Sequence, residues 1–405
     1  MPILLRYQEL MSDPPSAWRG QPFRYCCVLC GLQEDDPLLN RCVRCSGAID
    51  AVYNLDRVEV RPMGNPLQRY FPLLPIHERA SMLWLGEGDT PCFHAERLGE
   101  KVGLSRLFVK DETANPTRST KDRIASIGLS RFSELGIKNL VVASTGNSST
   151  AYARGVQEVG GFRLHVFVAR CFLDRLNYLD HPDVNTYVVD GDFVAAGEVA
   201  QRFAARTDYF LEGGFFSLSR REGLKIAYLE AFDQMPVAPE YVFQAVSSGM
   251  GLLGAYKGAL EYQRLGRITT VPRFVAVQQS SCAPMAHAYA QGEERISSRH
   301  VIRNPTGIAQ AILRGDPTQS YPYVLSVCTA SGGRVMAVDE HEIRQVRDLL
   351  AETEGIQVCF SGATALAGAM RLRTLGILPA DAPTLVNLTG ADRPPAPVPR
   401  NVLTW

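Results

Sequence analysis

Lys121, in the run Asn115-Pro116-Thr117-Arg118-Ser119-Thr120-Lys121-Asp122-Arg123, is the residue of this chain best placed for covalent chemistry. The segment before it, Leu107 to Glu112, alternates like a strand, and Asn115, Pro116 and Thr117 break that strand. Ser119, with Asp122 three residues later, reads as a capping-box start for a helix with Ile124, Ile127, Leu129, Phe132 and Leu135 on its apolar side. Lys121 therefore falls in a first helical turn, where the positive end of the helix favours anions over an ammonium. An amine held neutral as an imine avoids that cost. A surface lysine beside Asp122 and Arg123 would have the same local sequence.

Three further stretches carry residue types that bind anions or metals. Leu140-Val141-Val142 runs into Ala143-Ser144-Thr145-Gly146-Asn147-Ser148-Ser149, which opens a helix through Tyr152 and Val156 and leaves backbone N–H groups free for an anion. Tyr241 to Val246 reads as a strand, and the glycine-rich turn from Ser247 to Gly254 feeds a helix over 252–265, a shape that cradles phosphate but that many close-packed turns share. Cys27-Val28-Leu29-Cys30 and Cys42-Val43-Arg44-Cys45 stand eleven residues apart, with Gly31 and Gly47 just after each pair. Paired knuckles of this kind supply four thiolates to a tetrahedral, structural zinc and leave no position open for catalysis. Cys26 is an adjacent spare that blurs the register, and plain buried thiols are the alternative.

Together these stretches resemble the threonine synthase branch of the fold-type II pyridoxal-phosphate enzymes, the tryptophan synthase β-subunit superfamily, from about Cys27 to Pro394. Leu85-Gly86-Glu87-Gly88-Asp89-Thr90-Pro91 resembles a motif of that family, Lys110-Asp111-Glu112 precedes the lysine as it does there, and the Asn115–Arg123 run matches at seven of nine positions. The resemblance implies that Lys121 forms the Schiff base with pyridoxal 5'-phosphate and later moves protons. It implies that Asn147 hydrogen-bonds the phenolic oxygen, that Ser248, Gly249, Met250, Gly251 and Leu252 hold the phosphate, and that Thr389 sits beside the pyridine nitrogen. A hydroxyl there does not enforce ring protonation as a carboxylate would, which favours elimination or replacement at the β or γ carbon over transamination. Ser144, Thr145, Gly146 and Ser148 would receive the substrate α-carboxylate, and Arg118 and Arg220 are candidates for a distal phosphate. Capping and strand-end hydroxyl roles, and solvated arginines, are the ordinary alternatives for these residues.

The resemblance points first to conversion of O-phosphohomoserine to threonine. Several departures favour a relative with another substrate. Arg118 and Thr120 replace a glycine and a phenylalanine, the stretch Phe216 to Gly223 lacks an Asn-Pro, Cys359-Phe360 stands for Glu-Pro, and Gly390-Ala391-Asp392-Arg393 replaces a Gly-His-Gly-like turn. β-Replacement or β-elimination on O-phosphoserine, in the manner of cysteate synthase, is the competing reading. A third, of another class, is an inactive scaffold whose zinc ribbon is an interaction module.

The elements that must position these residues alternate regularly. Strands are expected over 140–144, 163–169, 185–189, 273–279 and 384–388, and helices over 147–159, 192–206, 221–235, 340–354 and 362–375. The fold class is α/β: two open, mostly parallel α/β domains behind a zinc-ribbon-like segment. The expected division is an arm over 1–60, a large cofactor domain over 61–145 and 220–405, and a small mobile domain over 146–219 that closes to exclude water. A linker is expected over 62–75 and a proline-rich surface tail over 391–398. Forty-two basic and forty-two acidic side chains cancel, so no global field favours nucleic acid or membrane. With four of ten cysteines in metal spacing and no apolar run of spanning length, a cytoplasmic enzyme is expected, acting as a homodimer on a small amino-acid substrate.

Overall fold

The computed structural model describes residues 5–13, 18, 20–394 and 402–404. Its amino-terminal part is a small antiparallel sheet in which Phe23–Cys27 pairs with Gln33–Glu34 on one side and Ile49–Tyr53 on the other. Two larger sheets follow. One orders Arg334–Val338, Arg273–Gln279, Tyr241–Ala245, Thr384–Leu388, Leu107–Asp111 and Cys92–His94, all parallel except the last. The other orders Val402–Thr404, Val184–Val189, Arg163–Ala169, Asn139–Ala143 and Phe210–Leu211, all parallel. Central strands such as Tyr241–Ala245 and Thr384–Leu388 are buried along their whole length, as continuous apolar runs covered by helices on both faces should be.

The expected strands and helices form within three residues of their predicted limits, and Asn147–Val159, Arg163–Ala169, Arg273–Gln279, Glu340–Glu354 and Thr384–Leu388 coincide with them. Their allocation to sheets differs from the expected division. The five-stranded sheet takes in Asn139–Ala143, ahead of residue 146, and Val402–Thr404 from the far end of the chain. Alternation of strand and helix locates elements but does not say which sheet each strand joins. Of the expected tail, 395–398 lie outside the described residues, whereas 391–394 are tied down. Helices Pro284–Ala290 and Tyr321–Ala330 and the strand Arg334–Val338 had no clear periodicity in the sequence. No described helix is long and apolar enough to cross a membrane.

Three helices, Lys121–Glu134, Leu218–Gln234 and Met250–Arg264, lie side by side and set the spacing of the site. Gly223 permits their close approach, since a Cβ there would stand 2.3 Å from the Arg123 carbonyl oxygen. Charges buried between the helices are paired. Lys225 bridges Glu222 at 2.6 Å and Glu261 at 2.9 Å, and Lys257 also contacts Glu222. The same cluster fastens the small sheet, because Tyr53 Oη donates to Glu222 at 2.8 Å and Arg221 pairs with Asp50 at 2.7 Å. Removing one partner would leave an unpaired buried charge, worth about 3–5 kcal/mol.

Candidate active site

A cavity of about 120 Å³ opens where strand ends of both parallel sheets meet. Its wall includes Ala143 to Thr145 after one strand, Ala245 to Leu252 after another, and Asn387 and Thr389 at the end of a third. Open α/β sheets place ligands at such carboxyl ends.

Lys121 lines this cavity as the first residue of the Lys121–Glu134 helix. The capping box expected from Ser119 and Asp122 does not form. Thr120 holds the N-cap position without a side-chain bond, Ser119 Oγ accepts from the Lys121 N–H at 3.1 Å, and Asp122 turns back to accept from the Thr117 N–H at 2.7 Å. The carboxylate is drawn to the preceding loop, and the helix starts one residue later than a Ser119 cap would place it. Burial, seconded by repulsion from Arg220, lowers the Lys121 ammonium to about 8. Near neutral pH a sizeable fraction of the amine is therefore unprotonated, as a nucleophilic amine requires.

Of the remaining predicted residues, Asn147, Ser144, Thr145, Ser148, Arg220, Ser248, Gly249, Met250, Gly251, Leu252 and Thr389 all line the same cavity. The Thr389 carbonyl accepts from the Thr120 N–H at 3.0 Å, which ties the end of a large-sheet strand to the lysine turn. Ser144 Oγ accepts from the backbone N–H groups of Gly146 at 3.0 Å and Ser149 at 3.3 Å and so shapes the loop before Asn147. Gly249, at φ +85°, caps the Met250–Arg264 helix, and a Cβ there would stand 2.2 Å from Val324 Cγ2. The tight turn brings the start of that helix to the cavity wall.

Two predicted residues stand outside the lining. Gly146 lies just behind it in the Ser144 turn. Arg118, expected at the cleft, is not among the residues of its wall. It sits half-buried in a tight turn with φ +56°, its N–H donating to the Asn115 carbonyl at 2.7 Å and its own carbonyl accepting from the Ala391 N–H at 2.9 Å. The turn's geometry, rather than a ligand, accounts for this position, and it is one that glycine adopts without strain. Arg220 is in the wall, but Glu212 neutralises it through Nε at 2.6 and 2.8 Å, and its Nη1 donates to Ser148 Oγ at 3.2 Å.

The structure adds residues that no local pattern marked. Arg314, in an irregular stretch, lines the cavity with its guanidinium 5.6 Å from the centre of the Phe193 ring. Tyr228 donates to Gln244, and Asn387 Nδ2 donates to Tyr228 Oη at 3.1 Å, so three wall residues share one polar chain. Ser361 completes the wall beside Ala311 and Cys359, the latter one of the departures already visible in the sequence.

Glu87, which is not part of this wall, lies deeply buried, accepting from the Leu85 N–H at 2.9 Å with its other oxygen unpartnered. Burial pushes its carboxyl up to about 7, above its value in the unfolded chain. The folded protein thus holds a proton that the unfolded chain has lost, and stability should fall as pH rises from about 4 to about 7. Glu87→Gln should flatten that slope and stabilise the protein at pH 8 by roughly 2–3 kcal/mol, read from denaturant midpoints at pH 5 and pH 8. A slope unchanged by the substitution would place the effect on another group.

Buried polar atoms without partners are few in folded proteins and mark places where a ligand completes the bonding. Five stand in this wall: Thr120 Oγ1, Arg220 Nη2, Ser248 Oγ, Arg314 Nε and Asn387 Oδ1. With a nucleophilic lysine and a glycine-capped helix start, they fit a cofactor that carries both an aldehyde and a phosphate.

The pyridoxal-phosphate dependent enzyme family matches residues 83–390, which include the entire cavity wall. The chain belongs to this family. Among curated relatives of this pyridoxal-phosphate enzyme, a threonine synthase from Methanocaldococcus jannaschii is 29% identical over 375 residues, covering 90% of the chain and 91% of the relative. A cysteate synthase from Methanococcoides burtonii is 28% identical over 335 residues, covering 80% of the chain and 78% of the relative. Among solved structures, processed threonine deaminase isoform 2 from Solanum lycopersicum superposes with a TM-score of 0.61 at 16% identity, over 83% of this chain and 94% of that one. Serine racemase from Dictyostelium discoideum gives 0.59 at 19% identity, over 76% and 93%. The fold is therefore that of the fold-type II pyridoxal-phosphate enzymes, and the chain is threonine synthase-like.

Proposed function

We propose that this enzyme acts on an amino acid carrying an anionic leaving group at its β or γ carbon, with conversion of O-phosphohomoserine to threonine as the first reading. The observation that carries it is the charge of the cavity wall, which contains Lys121, Arg220 and Arg314 and no carboxylate among the described residues. Arg220 is balanced by Glu212, but Arg314 makes no ion pair among the described residues, and its Nε is buried without a partner. An unneutralised guanidinium in a pocket favours an anionic ligand.

Pyridoxal phosphate, when bound, supplies an electron sink for negative charge at the substrate α-carbon. The chain's own residues do the rest. The Lys121 amine would hold the cofactor through its aldehyde and would move a proton to and from the bound amino acid. The turn from Ser248 to Leu252 would offer hydroxyl and backbone N–H groups to the cofactor phosphate, and Asn147 and Thr389 would hydrogen-bond its ring substituents. Ser144, Thr145 and Ser148 receive the α-carboxylate. The four thiols of the amino-terminal segment hold a structural zinc, and a homodimer is the expected assembly.

A second reading, β-replacement on O-phosphoserine, is favoured by the cysteate synthases, one of which is 28% identical against 29% for a threonine synthase, over a shorter stretch of the chain. The test is a comparison of O-phosphohomoserine and O-phosphoserine with their unphosphorylated counterparts, following phosphate release and identifying the amino-acid product. Turnover of neither phosphorylated substrate would reject both readings. Arg314→Gln should lower kcat/KM for the phosphorylated substrate by about tenfold to a hundredfold, the size of a lost charge-assisted contact, and change that for an unphosphorylated analogue far less. Equal losses on both would assign Arg314 to the architecture of the cleft.

A further inference from the structure

The segment after the last large-sheet strand passes from one parallel sheet to the other. Residues 389–391 are pinned on the large-sheet side: Gly390 bridges Ser119, its carbonyl accepts from the Cys359 N–H at 3.0 Å, and the Ala391 N–H donates to Arg118 at 2.9 Å. Arg393 has already reached the other side. Its Nη2 donates to Asn147 Oδ1 at 2.7 Å and to the Arg175 carbonyl at 3.0 Å, and the Pro394 carbonyl accepts from Asn177 at 2.9 Å. Arg175 converges on the same place, with Nη2 at 3.4 Å from Asn147 Oδ1 and Nε at 2.7 Å from the Thr145 carbonyl. Neither arginine makes an ion pair among the described residues, because neighbouring Asp392 is taken by Arg347 at 2.6 Å.

A carboxamide presents an acceptor on one side and two donors on the other. Two guanidinium groups behind Asn147 hold its oxygen toward themselves, since the flipped amide would set donors against donors. The Nδ2 group is then the one left for the cavity that Asn147 lines. We infer that Arg393, seconded by Arg175, is a positioning residue that fixes Asn147 as a hydrogen-bond donor to the cofactor's phenolic oxygen and stabilises that oxygen as an anion. This rests on the reading of Asn147 given under the proposed function. The resemblance offers a Gly-His-Gly-like turn in this region, where this chain has Gly390-Ala391-Asp392-Arg393.

The charged and titratable groups around the pair are Arg175 and Cys359, Asp122 at the start of the lysine helix, and Asp392, with Lys121 and Arg220 in the cavity wall. Burial, together with Arg175, lowers Arg393 to about 10, so it stays charged over the working range.

The test uses the full chain loaded with pyridoxal phosphate. The dissociation constant of the cofactor and the pH midpoint of its visible absorption are measured for Arg393→Gln, Arg393→Lys, Asn147→Ala and the Asn147→Ala/Arg393→Gln double variant. Arg393→Gln should weaken cofactor binding about tenfold and raise the midpoint, as loss of a charge-assisted bond and a nearby cation requires. Arg393→Lys should recover most of the midpoint shift, because it restores the charge and one donor. In the Asn147→Ala background, Arg393→Gln should add little to the loss of binding, the signature of action through Asn147. Additive losses, or an Arg393→Gln protein with both quantities unchanged while Asn147→Ala alters them, would overturn the inference and leave the reading of Asn147 standing. An Asn147→Ala protein with an unaltered spectrum and affinity would remove that reading and this inference with it.

Discussion

Replacing Lys121 with alanine should leave a folded protein that neither holds pyridoxal phosphate covalently nor turns over an amino acid. The side chain lines the cavity and takes no hydrogen bond or ion pair from any described residue, so little of the fold depends on it. Its removal also takes a cation away from a helix start, where cations are unfavourable. The chemistry should suffer far more than the stability. A positioned acid–base group is worth about 10²–10⁴ in rate, and loss of the covalent attachment adds to that. Borohydride reduction followed by peptide mass analysis should find the cofactor on Lys121 in the native protein and on no lysine in the variant. A variant with native turnover would reject Lys121 as the reacting amine and, with it, the reading of the whole cavity.

Loss of metal from the amino-terminal segment should have the largest effect on stability. The sulfurs of Cys27, Cys30, Cys42 and Cys45 all lie within 4.8 Å of one another, with Cys27 to Cys45 at 3.4 Å and Cys30 to Cys42 at 3.6 Å. A tetrahedral zinc with Zn–S bonds of about 2.3 Å has sulfur–sulfur edges of about 3.8 Å, so four thiols gathered this closely match one ion. Freshly purified protein should contain about one zinc per chain. Chelation, or Cys42→Ser, should cost on the order of 5 kcal/mol, less than the roughly 10–16 kcal/mol of an isolated zinc peptide, because the Tyr53, Asp50 and Arg221 contacts also hold the segment. Cys26 lies outside the cluster and is fully buried, so Cys26→Ser should retain the metal. Metal analysis that finds none would reject the assignment.

The parts of the site legible in the sequence were those carried by local pattern. Lys121, the Ser144–Asn147 loop, the Ser248–Leu252 turn and Thr389 each follow a strand whose apolar run is visible, and strand ends are where such folds gather function. The four cysteines were legible through spacing alone, and the structure leaves Cys26 outside the cluster, as the spare it was read to be. What stayed hidden depends on how irregular segments fold back on their neighbours, which no periodic pattern records. Arg220 looked like a free anion binder because its partner Glu212 lies in another element, and Arg118 looked cleft-facing because nothing local reveals a turn at φ +56°. Arg314 had no signal, sitting in neither a periodic helix nor a strand.

The parallel pairing of Val402–Thr404 with Thr186–Val188 also bears on how this protein assembles itself. The small body's outer edge strand comes from the far side of the large body in sequence, and the segment that delivers it is anchored at Thr389 to Ala391, just after the large body's last strand. Because the paired residues lie far apart in sequence, covering that edge is a high-contact-order step. Until then Val184–Val189 presents an open strand edge, the kind of surface through which partly folded chains pair with one another. Refolding yield should therefore depend on protein concentration more than either body's own stability would suggest.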